Sequence, residues 1–236
     1  MKTAAVLLAA GRGERFGTKA GVNKLYVDLG GRPVLMHALL RLVRSPLIEK
    51  VVVVVRPGDE ALFEREVLRR LSPKQEKLLV VPGGRERQDS ARAGVEALAQ
   101  EEPELVLIHD GARPFFSEEL LERLIEAARE HGAAVPALPV EETIRLGDEE
   151  GFAAGELERE RLYRVQTPQC FRYGLLRQAL AAAHEQGRYF TDDAGAVALL
   201  GHKIKLISGE ETNIKITAPL DLKLAELLLK SPNSIP

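Results

Sequence analysis

A glycine-rich segment near the start of the chain carries cationic side chains that could act on a phosphate. Residues 8–17 read LAAGRGERFG, and Lys24 follows shortly after them. Glycines leave room for backbone N–H groups to approach phosphate oxygens closely. Phe16 stands where the dinucleotide-binding fingerprint needs a glycine, and no Gly-Lys-Ser/Thr triplet completes a P-loop. We therefore predict a third type of phosphate loop, with Arg15 and Lys24 as its cations; a tight turn with solvated charges is the alternative.

Other polar groups follow later apolar runs, where an open parallel sheet places its ligands. Parallel strands end at one edge of a sheet, and ligands bind beyond their carboxyl ends. Each group alone could be structural, because Asp110 could cap a turn and Lys215 could be a strand residue whose ammonium group reaches solvent. Their joint placement favours one common site. The segments are Gly83–Ser90, His109–Pro114, Thr167–Gln169, Thr191–Asp193 and Asn213–Lys215.

The composition narrows the class of protein. The 236 residues include 33 Lys plus Arg and 35 Asp plus Glu, and a net charge of -2 argues against a general nucleic-acid binder. The length fits one large α/β domain or two small ones. A single cysteine, Cys170, excludes an internal disulfide and a cysteine-based zinc site, and it favours a reducing, cytoplasmic location. The apolar run at 4–10 is too short for a membrane span, so we predict a buried strand there and no targeting or membrane segment.

Short apolar runs alternate with amphipathic stretches along most of the chain. Five consecutive valines at 51–55 are typical of a parallel strand buried on both faces. This βαβα order predicts one α/β domain over 1–236, with a three-layer, Rossmann-like fold: a mostly parallel twisted sheet and helices on both faces. Strands are predicted at 6–9, 51–55, 77–81, 105–108, 133–138 and 203–207. Helices are predicted after Pro33, from Pro57 toward Leu71, through 90–98, after the cap Ser117, over about 175–186, from Thr191-Asp192, and from Pro219 toward Lys230.

The alternation stops after Pro139. Residues 140–163 contain three glycines, two charged patches and few apolar side chains, so this segment can bury little surface by itself. We predict that it leaves the domain as a protruding β-arm and packs on a partner. A flexible surface loop is the alternative.

Taken in order, the motifs resemble those of the nucleotidyltransferases, and most closely the 2-C-methyl-D-erythritol 4-phosphate cytidylyltransferase family of the non-mevalonate isoprenoid pathway. The resemblance covers nearly the whole chain. Two positions depart from the family pattern: residues 23–25 read Asn-Lys-Leu where Pro-Lys-Gln is frequent, and Gly111 replaces the usual alanine. The matching positions are Ala9–Phe16, Lys24, Gly83–Ser90, His109–Pro114, Thr143, Thr167–Gln169, Thr191-Asp192 and Asn213–Thr217.

The resemblance implies a nucleotidyltransferase fold and an enzyme that transfers CMP from CTP to 2-C-methyl-D-erythritol 4-phosphate. The products are pyrophosphate and 4-diphosphocytidyl-2-C-methyl-D-erythritol. The resemblance also implies Mg²⁺ bound mainly through the CTP phosphates, with no assigned protein ligand, and a homodimer joined through the arm. A cytidylyltransferase for ribitol 5-phosphate and a non-catalytic nucleotide-sensing module of the same fold are the alternatives. The three cations favour an enzyme, because a sensor would not need positive charge aimed at the α-phosphate.

The resemblance further assigns roles to individual residues. The attacking phosphate oxygen is already ionised near neutral pH, so no general base is needed, and we predict a packing or hydrogen-bonding role for His109. Arg15 and Lys24 correspond to cations that stabilise the transition state at the α-phosphate, and Lys215 corresponds to a third phosphate ligand. The substrate-binding positions are Ala9, Ala10, Gly84, Arg85 and Ser90 around the cytosine; Gly11 and Gly111 beside the ribose and phosphates; Asp110 and Thr191 near the sugar phosphate; and Thr143 and Arg159 on the arm, which reaches the partner's substrate.

Overall fold

An eight-stranded sheet forms the centre of the molecule. The structure is a computed structural model, and it describes residues 2–11, 23–71 and 74–230. Strands β2 and β3 pair only with each other, as do β8 and β9, and the remaining strands form the central sheet. The strands are β1 (Thr3–Ala9), β2 (Asp28–Leu29), β3 (Arg32–Pro33), β4 (Lys50–Val55), β5 (Leu78–Pro82), β6 (Leu105–Asp110), β7 (Ala133–Pro139), β8 (Arg145–Gly147), β9 (Ala153–Glu156), β10 (Tyr163–Val165), β11 (Gln169–Arg172) and β12 (Lys205–Ser208).

The helices follow the predicted order closely. Ser117 caps α4 as the sequence predicts, because its Oγ accepts a hydrogen bond from the N–H of Leu120 at 3.0 Å. One predicted helix is shorter than expected: α2 ends at Glu66, and a 3-10 turn at Leu68–Arg70 continues toward Leu71. The α-helices are α1 (Val34–Arg44), α2 (Glu60–Glu66), α3 (Arg87–Glu96), α4 (Glu118–His131), α5 (Tyr173–Glu185), α6 (Asp193–Leu199) and α7 (Pro219–Lys230).

The sheet order brings the carboxyl ends of four strands to one edge. Strands β5, β4, β1 and β6 are parallel neighbours in that order. The register pairs Leu8 of β1 with Val54 of β4 on one side and with Asp110 of β6 on the other. Residues that follow these strands therefore lie close together at this edge.

Beyond β6 the sheet becomes mixed. Strand β11 lies between β6 and β7 and is antiparallel to both. Strand β10 is antiparallel to β7, and β12 is parallel to it. The sequence predicted a mostly parallel sheet, which is confirmed, but it did not predict β10 and β11, which are only 3 and 4 residues long.

Alternating strand side chains divide the core into two layers, one on each face of the sheet. Val51, Val53 and Val55 share a buried cluster with side chains of α1, α2 and α4, whereas Val52 and Val54 pack with α3, α5 and α6. All five valines are fully buried. The prediction of a strand buried on both faces is therefore confirmed, and so is the three-layer α/β fold.

Helix α3 approaches the sheet closely through Gly94. A Cβ at this position would lie 2.3 Å from Cγ1 of Val6 and 2.9 Å from Cγ2 of Val54. Any larger residue would therefore push the helix away from β1 and β4. Arg87 is the first residue of the same helix. The close packing of the helix on the sheet therefore helps to fix the position of the Arg87 backbone.

The arm predicted at 140–163 ends one residue earlier, because Tyr163 begins β10 and pairs with Pro139 of β7 in the central sheet. The segment at 140–162 carries a hairpin outside this sheet. Strands β8 and β9 pair antiparallel with each other, and the side chains of Ile144, Leu146 and Phe152 are 41%, 51% and 67% exposed. An isolated two-stranded hairpin is marginally stable in water. Packing of this arm on a partner stays a prediction. None of the helices in the described residues combines the length and the apolar character needed to span a membrane.

Candidate functional site

A cleft of about 670 Å³ opens where β1 and β6 end. It brings together nine of the residues that the sequence singled out: Ala10, Gly11, Lys24, Gly84, Arg85, Ser90, Asp110, Gly111 and Lys215. Four other singled-out residues do not line it: Ala9, Thr143, Arg159 and Thr191. Arg15 lies outside the described residues. The remaining lining residues are Leu8, Leu25, Glu86, Arg87 and Ala112.

Lys24 enters the cleft from a 3-10 turn at Lys24–Tyr26 that is anchored on both sides. The Oδ1 of Asn23 accepts a hydrogen bond from the N–H of Leu25 at 3.2 Å, and its Nδ2 donates to Oδ2 of Asp59 at 3.3 Å. Leu25 is buried beneath the turn. Asn23 therefore caps this turn.

The turn at Gly83–Gly84 packs tightly against its neighbours. A Cβ on Gly83 would lie 2.5 Å from the Cβ of Ala10. The N–H of Gly84 donates to Oγ of Ser90 at 3.1 Å, and this hydroxyl donates to the carbonyl oxygen of Glu86 at 3.2 Å. The serine thus shapes the turn that borders the cleft.

Gly111 follows β6 at a point of close approach. Its N–H donates to the carbonyl oxygen of Leu8 at 3.0 Å. A Cβ at this position would lie 2.6 Å from Cδ1 of Leu35 and 3.0 Å from that same carbonyl oxygen. A side chain at this position would force Leu35 to move, so this packing suits glycine.

Asp110, the last residue of β6, lies between two cations. Its Oδ2 accepts from Nζ of Lys215 at 2.6 Å, and its Oδ1 accepts from Nε of Arg87 at 3.2 Å. Burial disfavours the charged carboxylate, but the attraction of Arg87 and Lys215 outweighs it and holds the pKa of Asp110 well below its ordinary value. The cleft therefore contains a permanently ionised carboxylate beside a lysine ammonium group.

Arg87 joins two carboxylates from different elements, and sequence analysis assigned it no role. Its Nη2 donates to Oδ2 of Asp193, the first residue of α6, at 2.8 Å. Although burial disfavours its charge, Asp193 and Asp110 raise the pKa of Arg87. The only sequence signal for this group is that Arg87 falls within the Gly83–Ser90 motif and Asp193 directly follows Thr191-Asp192. Thr191 itself is exposed, and its predicted contact with the sugar phosphate stays a prediction.

His109 lies in the core beneath the cleft and has the packing and hydrogen-bonding role that the sequence predicted. Its Nε2 lies 2.9 Å from the carbonyl oxygen of Arg113, and its Nδ1 lies 3.1 Å from Oγ1 of Thr167. Its ring meets that of Phe116 edge-on, with centroids 4.5 Å apart. Burial lowers the pKa of His109 to about 4, so the imidazole is neutral near pH 7.

Three hydrogen bonds hold the loop that carries Lys215 against the residues that follow β6 and against Thr167. Nη1 of Arg113 donates to the carbonyl oxygen of Asn213 at 2.7 Å, and the Nδ2 of Asn213 donates to the carbonyl oxygen of Thr167 at 2.9 Å. The N–H of Ile216 donates to the carbonyl oxygen of Ala112 at 2.9 Å. These bonds fix the backbone on either side of Lys215, while its own side chain remains 35% exposed.

The arm residues lie apart from this cleft within the single chain. Thr143 and Arg159 are exposed, and Nη1 of Arg159 donates to the carbonyl oxygen of Glu141 at 3.3 Å. Among the described residues, no group of three or more His, Cys, Asp or Glu side chains could hold a metal ion. An anionic ligand in this cleft would therefore meet cationic side chains, backbone groups of glycines and a single strongly ionised aspartate.

Comparison with known proteins gives one consistent family. Residues 3–231 match the family described as 2-C-methyl-D-erythritol 4-phosphate cytidylyltransferase. A protein of that name from Pelotomaculum thermopropionicum is 44% identical over 98% of this chain and 95% of its own length. The crystal structure of a 4-diphosphocytidyl-2C-methyl-D-erythritol synthase from Anaerococcus prevotii gives a TM-score of 0.83 at 30% identity, covering 98% of this chain and 96% of that one. The cytidylyltransferase of Thermus thermophilus gives a TM-score of 0.77 at 36% identity, covering 98% and 100%.

Proposed function

Because this chain belongs to the 2-C-methyl-D-erythritol 4-phosphate cytidylyltransferase family, we propose that the cleft at the ends of β1 and β6 is where its reaction takes place. The enzyme transfers CMP from CTP to 2-C-methyl-D-erythritol 4-phosphate and releases pyrophosphate. A phosphate oxygen of the acceptor attacks the α-phosphorus of CTP, a P–O bond forms there, and the bond to pyrophosphate breaks. The attacking oxygen is already ionised near neutral pH, so the residues of the cleft need not remove a proton.

One observation carries this assignment of the site: Lys24 and Lys215, which are far apart in the sequence, line the same cleft. The barrier to the reaction is electrostatic, because an anion must approach a phosphate that is itself negatively charged. Preorganised cations lower such a barrier, and correct alignment of attacker and leaving group lowers it further. The two lysines supply charge from opposite ends of the chain, which supports a catalytic site over a mere phosphate-binding turn. Arg15 completes this proposal as a third cation.

The two substrates occupy different parts of the cleft in this proposal. The cytosine and ribose of CTP lie beside Ala10, Gly11 and the Gly84–Ser90 turn, where glycines leave backbone groups accessible. The acceptor lies beside Asp110, whose ionised carboxylate can accept hydrogen bonds from the polyol hydroxyl groups. The arm of a second subunit would complete the acceptor side with Thr143 and Arg159.

The donor groups of the cleft fit a magnesium ion held mainly by CTP. Mg²⁺ keeps several waters and commonly binds through substrate phosphates and one or two carboxylates. Asp110 and Glu86 are the carboxylates among the described lining residues. Because both oxygens of Asp110 already accept hydrogen bonds from cations, most ligands of the ion would come from the CTP phosphates. When bound, the ion would neutralise phosphate charge during transfer. Lys24 and Lys215 would orient the phosphates and share that neutralisation.

The identity of the acceptor is tested by measuring pyrophosphate release from CTP and Mg²⁺ with different polyol phosphates. We expect rapid release with 2-C-methyl-D-erythritol 4-phosphate and a much smaller kcat/KM with ribitol 5-phosphate. Preference for ribitol 5-phosphate would overturn the assigned acceptor. Binding of CTP without release in the presence of either compound would instead support a nucleotide sensor.

We propose that two copies of the chain form a homodimer through the arm, defined here as residues 140–162. The exposed apolar side chains of Leu146 and Phe152 support this proposal, since a partner would remove them from water. The double variant Leu146→Ser/Phe152→Ser is expected to shift the mass measured by light scattering from dimer to monomer. It is also expected to lower activity, because Thr143 and Arg159 would no longer reach a second cleft.

A matched control removes an apolar side chain elsewhere that is even more exposed than Leu146 and Phe152. Leu220 of α7 is 74% exposed, and Leu220→Ser is expected to leave both mass and activity unchanged. An arm variant that remains a fully active dimer would contradict the role of the arm.

A cytoplasmic location is also part of the proposal, and it is supported by a single cysteine that is buried and unpaired.

A further inference from the structure

Arg87 is held from two sides, and its two partners belong to different elements of the fold. Its Nε contacts Oδ1 of Asp110 at 3.2 Å, and its Nη2 contacts Oδ2 of Asp193 at 2.8 Å. Asp193 is 1% exposed and lies in the first turn of α6, so it cannot follow a moving partner. The planar guanidinium group can make two such contacts at fixed angles, which a lysine ammonium group cannot reproduce.

Lys215 differs from Arg87 in how firmly it is held. Its ammonium group contacts Oδ2 of Asp110, and its side chain is 35% exposed, compared with 26% for Arg87. Among the described residues, Lys215 forms no ion pair with a second buried carboxylate. An anionic ligand that enters the cleft can therefore attract Lys215 away from Asp110 more easily than it can attract Arg87.

We infer that Arg87 and Asp193 are positioning residues of the transfer reaction: they hold Asp110 in place through its Oδ1 while Lys215 leaves its Oδ2 for the phosphates of CTP. This inference rests on the proposed function of the cleft. Departure of Lys215 frees Oδ2 to accept a hydrogen bond from a hydroxyl group of the acceptor. Arg87 remains as the counter-ion, so Asp110 keeps both its charge and its orientation during this exchange.

The exchange gives the order in which the cleft becomes competent. Before CTP is bound, Lys215 covers the carboxylate oxygen that the acceptor needs. Once the phosphates have drawn the lysine away, Asp110 presents that oxygen at a fixed position. Asp193 has no contact with either substrate in this scheme and acts only through Arg87.

The inference is tested by steady-state kinetics on Arg87→Lys, Asp193→Asn and the double variant, with CTP and 2-C-methyl-D-erythritol 4-phosphate as substrates. Arg87→Lys keeps the positive charge but cannot bridge both carboxylates. We expect each single variant to raise the KM for the acceptor by about 10-fold or more, because a displaced binding group is costly. The KM for CTP, and the affinity for CTP measured by calorimetry without acceptor, should stay close to the wild-type values. The double variant should match Arg87→Lys, because Asp193 acts through Arg87.

Arg177→Lys is the matched control. Nε of Arg177 in α5 lies 3.4 Å from Oε2 of Glu96 in α3, so this arginine also joins two elements, but neither residue lines the cleft. It should leave all constants unchanged. A loss of kcat in Arg87→Lys with both KM values unchanged, or additive effects in the double variant, would overturn the inference. Arg87→Lys alone is sufficient where Asp193→Asn does not fold. Absence of acceptor-dependent pyrophosphate release in the wild-type protein would instead remove the proposed function.

Discussion

Replacing Lys24 with alanine is expected to lower kcat by a factor on the order of 10²–10³, the usual cost of removing one preorganised group that stabilises charge in a transition state. The effect falls on kcat because the lysine is assigned to the α-phosphate, where negative charge is rearranged during the reaction. Tm should change much less than kcat, since the substitution leaves in place the contacts of Asn23 and Leu25 that hold the turn. The measurement is the initial rate of pyrophosphate release at saturating substrates, with Tm determined on the same samples.

Lys205→Ala provides the control for this variant, because it removes a lysine from an exposed position of β12 that does not line the cleft. Its turnover and Tm should equal those of the wild type. Near-wild-type turnover of Lys24→Ala would contradict the catalytic assignment. A large fall in its Tm would show that Lys24 also stabilises the fold.

Replacing Lys215 with glutamine is expected to reduce kcat by a similar factor, on the order of 10²–10³, and also to change how stability depends on pH. Glutamine can still donate a hydrogen bond to Asp110 but carries no charge. Since Lys215 is one of the cations that lower the pKa of Asp110, together with Arg87 and Arg113, this pKa should rise toward its ordinary value of 3.8 in the variant. The first measurement is again the rate of pyrophosphate release.

The second measurement is Tm between neutral and acidic pH. A carboxylate whose pKa is lowered in the folded state stabilises the fold above its unfolded-state pKa, and this contribution disappears as the pH falls through the folded-state pKa. Lys215→Gln should therefore be less stable than the wild type near pH 7, and the difference should narrow in acid, once Asp110 is protonated in both proteins. Lys205→Gln should show neither effect. A difference in Tm that is the same at every pH would contradict the assigned coupling between Lys215 and Asp110.

The order of strands and helices could be predicted from the sequence because it depends on local patterns. The valines of β4 and the capping serine before α4 each specify their element through neighbours in the chain. The rule that parallel strands place ligands at their carboxyl ends then located Asp110 and the Gly83–Gly84 turn at one edge. Lys24 and Lys215 were assigned together through resemblance to a family, and their common cleft is a finding of the structure.

Only the tertiary structure decided which charged groups meet. Arg87 contacts Asp193, which lies 106 positions later, and Lys215 contacts Asp110, which lies 105 positions earlier. A local sequence pattern contains no information about such distances, because any carboxylate near a strand end could have been the partner. The same limit applies to β11, whose place between β6 and β7 depends on long-range pairing of a 4-residue segment. The sequence thus determined the layers and the edge at which the site lies, whereas the packing of α3 and α6 on the sheet determined which side chain holds Asp110, since that choice depends on where separate elements come to rest.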